Sequence, residues 1–150
     1  MMPKERLTKS KGRIKKYGEV FTPEWVVKMM VDELEKSNGP LPIEATVLEP
    51  SCGEGAFLKE GLHRKLDKAK DLHGTIAAVR SVYGVELLPD NTDVCRRNLF
   101  DIWCAAAGQY KPTEADAENV KAILRRNIAC GDFLKKKHAD GTPIWFLKED

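Results

Sequence analysis

The chain has 150 residues, of which 42% are hydrophobic, and its formal net charge at pH 7 is +2. This length and composition predict one globular domain with a single core. No run of about 18 uncharged apolar residues occurs, and the first residues lack the apolar stretch of a signal peptide. Neither a membrane span nor secretion is indicated, and we expect a cytoplasmic protein. The four cysteines include no C-x-x-C pair, so no metal site is predicted.

Basic residues are concentrated at the start of the chain. Within the first 17 positions a single acid, Glu5, opposes Lys4, Arg6, Lys9, Lys11, Arg13, Lys15 and Lys16. Such a segment can neutralise DNA phosphates, which would make DNA binding salt-dependent. A solvated leader without a partner is the alternative. We predict that residues 1–16 form a flexible basic arm and residues 17–150 the folded domain.

The first predicted helix begins at Thr22-Pro23-Glu24, where Thr caps the helix and Pro suits its first turn. It ends at residues 37–42, and its apolar residues recur at helical spacing: Trp25, Val26, Met29, Met30 and Leu34. We expect this face, including Trp25, to lie in the core. A strand over residues 45–49 and a helix over residues 55–70 follow.

The second half of the chain continues this alternation. A strand is predicted over residues 82–87, and Pro89 begins a helix that runs to about Ala107 and places Trp103 in the core. A further helix spans residues 113–126 and a third strand residues 127–130, while residues 141–147 form either a fourth strand or a packed tail. Strands separated by helices are typical of an α/β fold with a parallel sheet. Ligands of such sheets bind at the carboxyl ends of the strands, so we expect the three loops there to form one site.

Four segments occur in the order that is found in a known family. They are Gly18-Glu-Val-Phe-Thr-Pro23, Glu49-Pro-Ser-Cys-Gly-Glu-Gly-Ala-Phe57, Tyr83-Gly-Val-Glu86-Leu and Asn127-Ile-Ala-Cys-Gly-Asp132-Phe. Together they resemble the class I S-adenosylmethionine-dependent methyltransferases, and among these the adenine-N6 DNA methyltransferases of restriction-modification and phage systems. The resemblance covers roughly residues 17–134. It implies a Rossmann-like sheet that is mostly parallel and, with three to four strands, incomplete.

The resemblance implies a role in binding S-adenosylmethionine for each segment. Residues 21–23 would close the methionine side of the cofactor, and Glu49 would accept a hydrogen bond from its amino group. Glu86 would accept from the ribose hydroxyls. Asp132 would accept from the adenine amine, and Phe133 would stack on the adenine ring. The full set of cofactor-binding candidates is Phe21, Thr22, Pro23, Glu49, Pro50, Ser51, Cys52, Gly53, Gly55, Phe57, Glu86, Leu87, Asp132 and Phe133.

The catalytic loop of the family is absent from this sequence. In the family an Asn/Asp/Ser-Pro-Pro-Tyr/Phe loop after the fourth strand holds the flipped target adenine, but no two prolines are adjacent in this chain. No catalytic residue is therefore assigned, and we expect methyl transfer to need a partner or a further segment. In the usual strand order of the family the fourth strand pairs with the first, so its absence would leave an edge open to another chain. We predict a homodimer or a partner subunit that completes the sheet.

Several functions remain open at this point. The first is an S-adenosylmethionine-binding domain of an adenine-specific DNA methyltransferase, with DNA as its partner. The second is a non-catalytic cofactor- or DNA-binding module of a restriction-modification or phage system. A small-molecule or protein methyltransferase is disfavoured by the Gly18–Pro23 segment. A Rossmann dehydrogenase is disfavoured because Leu58 occupies the third glycine position of G-x-G-x-x-G.

Overall fold

The computed structural model describes residues 5–149, which contain six α-helices and four β-strands. In chain order these are α1 (Lys11–Tyr17), α2 (Glu24–Asn38), β1 (Val47–Glu49), α3 (Ala56–Leu66), α4 (Leu72–Arg80), β2 (Val82–Glu86), α5 (Pro89–Ala107), α6 (Glu114–Asn127), β3 (Ile128–Asp132) and β4 (Lys137–His138). Single 3-10 turns occupy Gly108–Tyr110 and Trp145–Leu147. None of the helices in this part of the chain is long and apolar enough to cross a membrane.

The four strands form one open sheet in the order β1-β2-β3-β4. The first three strands are parallel, and the short β4 lies antiparallel beside β3. This arrangement confirms the predicted α/β class with a mostly parallel, incomplete sheet. The register pairs Glu49 with Gly84 and Glu86 with Cys130, so the carboxyl ends of the parallel strands lie along one edge. Within residues 5–149, β1 pairs with no strand other than β2.

The main core lies on one face of the sheet. It joins buried side chains of α3, α4, α5 and α6 to Val82 and Ile128 of the sheet. Successive residues of a strand point to opposite faces, and the other face carries a smaller cluster of Val85, Ala129 and Ile144. Of the two predictions for residues 141–147, a fourth strand or a packed tail, the structure shows the packed tail. Ile144 is fully buried, and residues 145–147 form a 3-10 turn.

The prediction that Trp25 lies in the core is wrong. Trp25 is 68% exposed, and Met29, Met30 and Leu34 are about half exposed. The buried side chains of α2 are Val27 and Val31, so this helix turns only a narrow face towards the rest of the chain. The helical spacing correctly predicted an apolar face, but residues 5–149 do not cover it. Trp103 is confirmed as a core residue, with its indole N–H donating to Thr75 Oγ1 at 3.1 Å.

Two helices of the structure were not predicted. α4 follows Asp71, whose carboxylate caps it by accepting from Gly74 N at 2.7 Å, so the helix predicted over residues 55–70 ends earlier, at Leu66. α1 occupies the last six residues of the predicted basic arm and extends to Tyr17. Residues 1–4 of that arm lie outside the described part of the chain.

Candidate functional site

A cleft of about 380 Å³ opens at the carboxyl ends of β1 and β2. Its walls are residues 17–22 ahead of α2, the middle of the glycine loop (residues 50–55) with the start of α3, and residues 86–88 at the end of β2 and just after it. The cavity volume falls within the range of pockets that hold small molecules. The loops after the first two strands therefore converge as the sequence predicts, whereas the loop after β3 does not line this cleft.

The glycine loop is tied to β2 and covered by Phe21. Cys52 N donates to Val85 O at 2.9 Å, and Gly55 N donates to Cys52 O at 2.8 Å. Gly53 has a φ of +55°, a conformation that glycine adopts without steric cost. A Cβ atom at this position would lie 3.3 Å from the ring of Phe21. The segment before α2 therefore packs directly on the loop and closes one side of the cleft.

Glu49 and Glu86 line the cleft without a basic partner among the described residues. Glu49 Oε1 accepts from Ser51 N at 3.2 Å, and Glu86 Oε1 accepts from Leu88 N at 3.3 Å. Neither side chain forms an ion pair within residues 5–149. Burial raises the pKa of both carboxyl groups, because a charge withdrawn from water is destabilised. A ligand that donates hydrogen bonds to these oxygens would offset their desolvation.

The structure brings together most, but not all, of the candidate residues. Those that line the cleft are Phe21, Thr22, Glu49, Ser51, Cys52, Gly53, Phe57, Glu86 and Leu87. Pro23, Pro50 and Gly55 belong to the same segments without lining it. Asp132 and Phe133 lie beyond it at the end of β3, where Asp132 Oδ1 accepts from Lys135 N at 3.1 Å and Phe133 packs beside the Val85 cluster. Their predicted contacts with adenine stay a prediction.

Sequence reasoning missed Glu19 and Asn91, which also line the cleft. Glu19 Oε2 accepts from Asn91 Nδ2 at 2.6 Å and from Arg13 Nη2 at 2.8 Å. Asn91 is fully buried. Asn91, Cys95 and Leu99 follow one another at intervals of four residues and so share the buried face of α5. A polar residue on an apolar helical face was the signal in the sequence that could have identified Asn91.

The segment before α2 is fastened to α5 and to the glycine loop by ion pairs. Arg13 donates to both carboxylate oxygens of Asp90, at 2.7 and 3.1 Å, and holds the pKa of that carboxyl well below its usual range. Lys9 lies 3.0 Å from Asp90 and 3.5 Å from Glu54. Where it is described, the predicted flexible arm is therefore partly helical and docked against the domain.

Arg13→Met is expected to lower the free energy of unfolding by about 1–3 kcal/mol, because the mostly buried Glu19 then loses its charged donor. Lys28→Met is the matched control, since Lys28 pairs with Glu24 at an exposed site and should change stability by no more than about 0.5 kcal/mol. Urea unfolding measures both variants. Equal effects would show that the Arg13 contacts do not hold the segment in place.

The comparisons with known proteins agree with this geometry. A model of the family described as N-6 DNA Methylase matches residues 6–104, which are 99 of the 150 residues. The chain belongs to the N-6 DNA methylase family. No curated protein and no solved structure matches it.

Membership of the N-6 DNA methylase family confirms the resemblance that the four segments suggested. It supports DNA as the substrate and methylation as the reaction, and it implies a methyl donor of the S-adenosylmethionine type. The matched region contains every residue that lines the cleft except Glu5, which lies just before it. It ends before β3, so Asp132 and Phe133 are not part of the match.

Proposed function

We propose that the cleft binds S-adenosylmethionine and that this chain is the cofactor-binding part of an adenine-specific (N6) DNA methyltransferase. The observation that carries the proposal is the meeting of the Gly18–Pro23 segment, the glycine loop and Glu86 around one cavity of about 380 Å³. All three belong to segments whose sequences resemble the family, although they lie far apart along the chain. A DNA substrate also agrees with the cytoplasmic location expected from the sequence.

The residues present suit this cofactor. Glu86, which is buried and has no basic partner in the described part of the chain, would accept from the ribose hydroxyls. Glu49 would accept from the amino group of the methionine part, and Gly53, which adopts a positive φ without steric cost, places no side chain in the cleft. Phe21 and Thr22 would close the same end. When bound, the cofactor supplies the methyl group, and these side chains orient it.

Methyl transfer to adenine demands positioning more than acid-base chemistry. The amine must lie in line with the bond that breaks, and the base must first leave the duplex. The 150 residues contain no Pro-Pro loop to hold such a base. We propose that a partner chain or a further segment supplies the base pocket, so this chain alone is expected to bind the cofactor without transferring its methyl group.

Two uncovered surfaces support a partner. One edge of β1 pairs with no strand of residues 5–149, and Leu48 on this strand is 41% exposed. The second surface is the exposed apolar face of α2 with Trp25. Open strand edges and large apolar patches both favour association. We propose a homodimer or a partner subunit, and sedimentation at high micromolar concentration tests the homodimer, which a strictly monomeric profile would exclude.

Glu86→Ala is expected to weaken S-adenosylmethionine binding about tenfold to a hundredfold, because a hydrogen bond to a charged group contributes roughly 1.5–3 kcal/mol. Calorimetric titration measures the change, and Glu33→Ala on the exposed side of α2 is the control of equal charge. The 2′-deoxyribose analogue should lose affinity for the unaltered chain but not for Glu86→Ala. Equal affinity of both ligands for the unaltered chain would exclude the ribose contact.

The second candidate is a non-catalytic module that binds the cofactor or DNA, which the missing Pro-Pro loop favours. Transfer of tritiated methyl groups to adenine-rich duplex separates the two functions. Incorporation by the chain, alone or with added partner subunit, supports the methyltransferase. Cofactor binding with no incorporation under either condition supports the module.

A further inference from the structure

α1 has one side fastened to the domain and another side that carries free positive charge. Its ends are well defined, because Ser10 Oγ accepts from Arg13 N at 3.1 Å and Gly18, with a φ of +66°, donates to Ile14 O at 2.8 Å. Arg13 points to Asp90 and Glu19. Residues 11 and 15 are one turn apart and lie on the side of the helix away from residue 13.

Three lysines of α1 are exposed and not neutralised. These are Lys11, Lys15 and Lys16, called the α1 lysines below, and none forms an ion pair with the described residues of the chain. The helix itself contains no acid, and Glu19 just beyond it is already bound by Arg13 and Asn91. The positive charge of this surface is therefore available to an anionic partner.

The helix that carries the α1 lysines ends at the mouth of the cleft. Lys16 Nζ is 5.0 Å from the ring centre of Tyr17, and Tyr17 lines the cleft. The cleft wall itself has five glutamates, of which Glu19 and Glu54 are paired with Arg13 and Lys9; the other three, Glu5, Glu49 and Glu86, face Arg6 and Lys59. Such a wall repels phosphate, so DNA that approaches the methyl donor must be held by cations outside the cavity.

We propose that the α1 lysines bind the phosphates of duplex DNA and hold the duplex at the rim of the cofactor cleft. The inference rests on the proposed function, because only a DNA methyltransferase needs DNA at this cleft. The ion pairs of Arg13 and Lys9 give the contact its geometry, since they dock α1 against α5 and the glycine loop. Phosphate contacts of this kind position a duplex without reading its sequence.

The test compares two triple variants that lose the same charge. Lys11→Gln/Lys15→Gln/Lys16→Gln removes the proposed contacts, and Lys36→Gln/Lys70→Gln/Lys111→Gln removes three exposed lysines that do not line the cleft. Binding of a short fluorescein-labelled duplex is measured by anisotropy over a range of salt concentrations. Each phosphate contact makes the slope of log K against log salt steeper by about 0.9. The slope of the α1 variant should therefore be smaller in magnitude than that of the unaltered chain by about two to three. The control should keep most of the slope of the unaltered chain.

Other outcomes separate this inference from the proposed function. Equal slopes for both variants, or no duplex binding by the unaltered chain at low salt, would overturn the inference that the α1 lysines bind DNA. Thermal unfolding and S-adenosylmethionine titration of the α1 variant verify that the fold and the cleft are intact. If the cofactor binds and only the lysine effect is missing, the inference fails and the proposed function stands. If the cofactor does not bind the unaltered chain, the proposed function fails.

Discussion

Gly55→Ala is expected to destabilise the protein by about 2–5 kcal/mol and to distort the glycine loop. Gly55 has a φ of +94°, which costs a residue with a side chain roughly 1–2 kcal/mol. The added Cβ atom would also lie 2.8 Å from Sγ of the fully buried Cys95. Overpacking of this kind adds about 1–3 kcal/mol. Urea unfolding gives the difference in free energy.

A double-mutant cycle separates the two causes. In a Cys95→Ala background the steric conflict disappears but the backbone conformation does not, so Gly55→Ala should cost about 1–2 kcal/mol there. Gly108→Ala is the matched control, because Gly108 has a φ of −54° and open space around it. We expect that control to change stability by less than about 1 kcal/mol. A Gly55→Ala variant as stable as the control would contradict the described packing of the loop on α5.

Lys65→Met is expected to cost about 2–4 kcal/mol of stability, because it leaves buried oxygens without a donor. Lys65 is fully buried, and its amine donates to Ile43 O at 2.9 Å, to Ala45 O and to Ser81 Oγ at 2.6 Å. These contacts fasten the segment that leads into β1 and thus the strand that ends at the glycine loop. Lys121→Met, at an exposed ion pair, is the control and should change stability by no more than about 0.5 kcal/mol. Comparable losses from both variants would exclude this role of Lys65.

The effect of Lys65 also depends on pH. Burial and the nearby charge of Lys68 lower the pKa of Lys65 to about 8, from 10.5 in a solvated lysine. Between these values the unfolded chain binds more protons than the folded chain, so the contribution of Lys65 to stability rises with pH. The stability difference between the unaltered chain and Lys65→Met should therefore increase from pH 8 to 10.5. A difference that stays constant over this interval would show that the amine titrates normally.

The parts of the fold that could be predicted from the sequence are those with a local signal. Short apolar runs followed by an acid or a glycine located all three parallel strands, and alternation with helices predicted their parallel pairing. The glycine loop was predicted because closely spaced glycines after a strand indicate a sharp turn, and Gly53 and Gly55 do adopt positive φ. The Gly18–Pro23 segment was placed correctly at the cleft by resemblance, since no short-range rule links it to the glycine loop.

The contacts that escaped prediction join residues far apart in the chain. Arg13 and Asp90 are separated by 77 positions. The sequence therefore showed that the arm is basic but not which surface of the domain it contacts. Trp25 was misplaced for a related reason: spacing identifies an apolar face but not the surface that covers it. Asp132 is the last residue of the third strand, and that strand places it beyond the cleft.

Isothermal titration of S-adenosylmethionine into this chain, with NAD as the matched adenosine-containing ligand, tests the central claim most directly. The cleft has two carboxylates, Glu49 and Glu86, which we propose bind the amino and ribose groups, but its loop has no third glycine of the kind that a dinucleotide loop needs. We predict saturable binding of S-adenosylmethionine with a dissociation constant below about 1 mM and no comparable binding of NAD. An absence of heat with S-adenosylmethionine, or equal affinity for NAD, would contradict the assignment of the cleft.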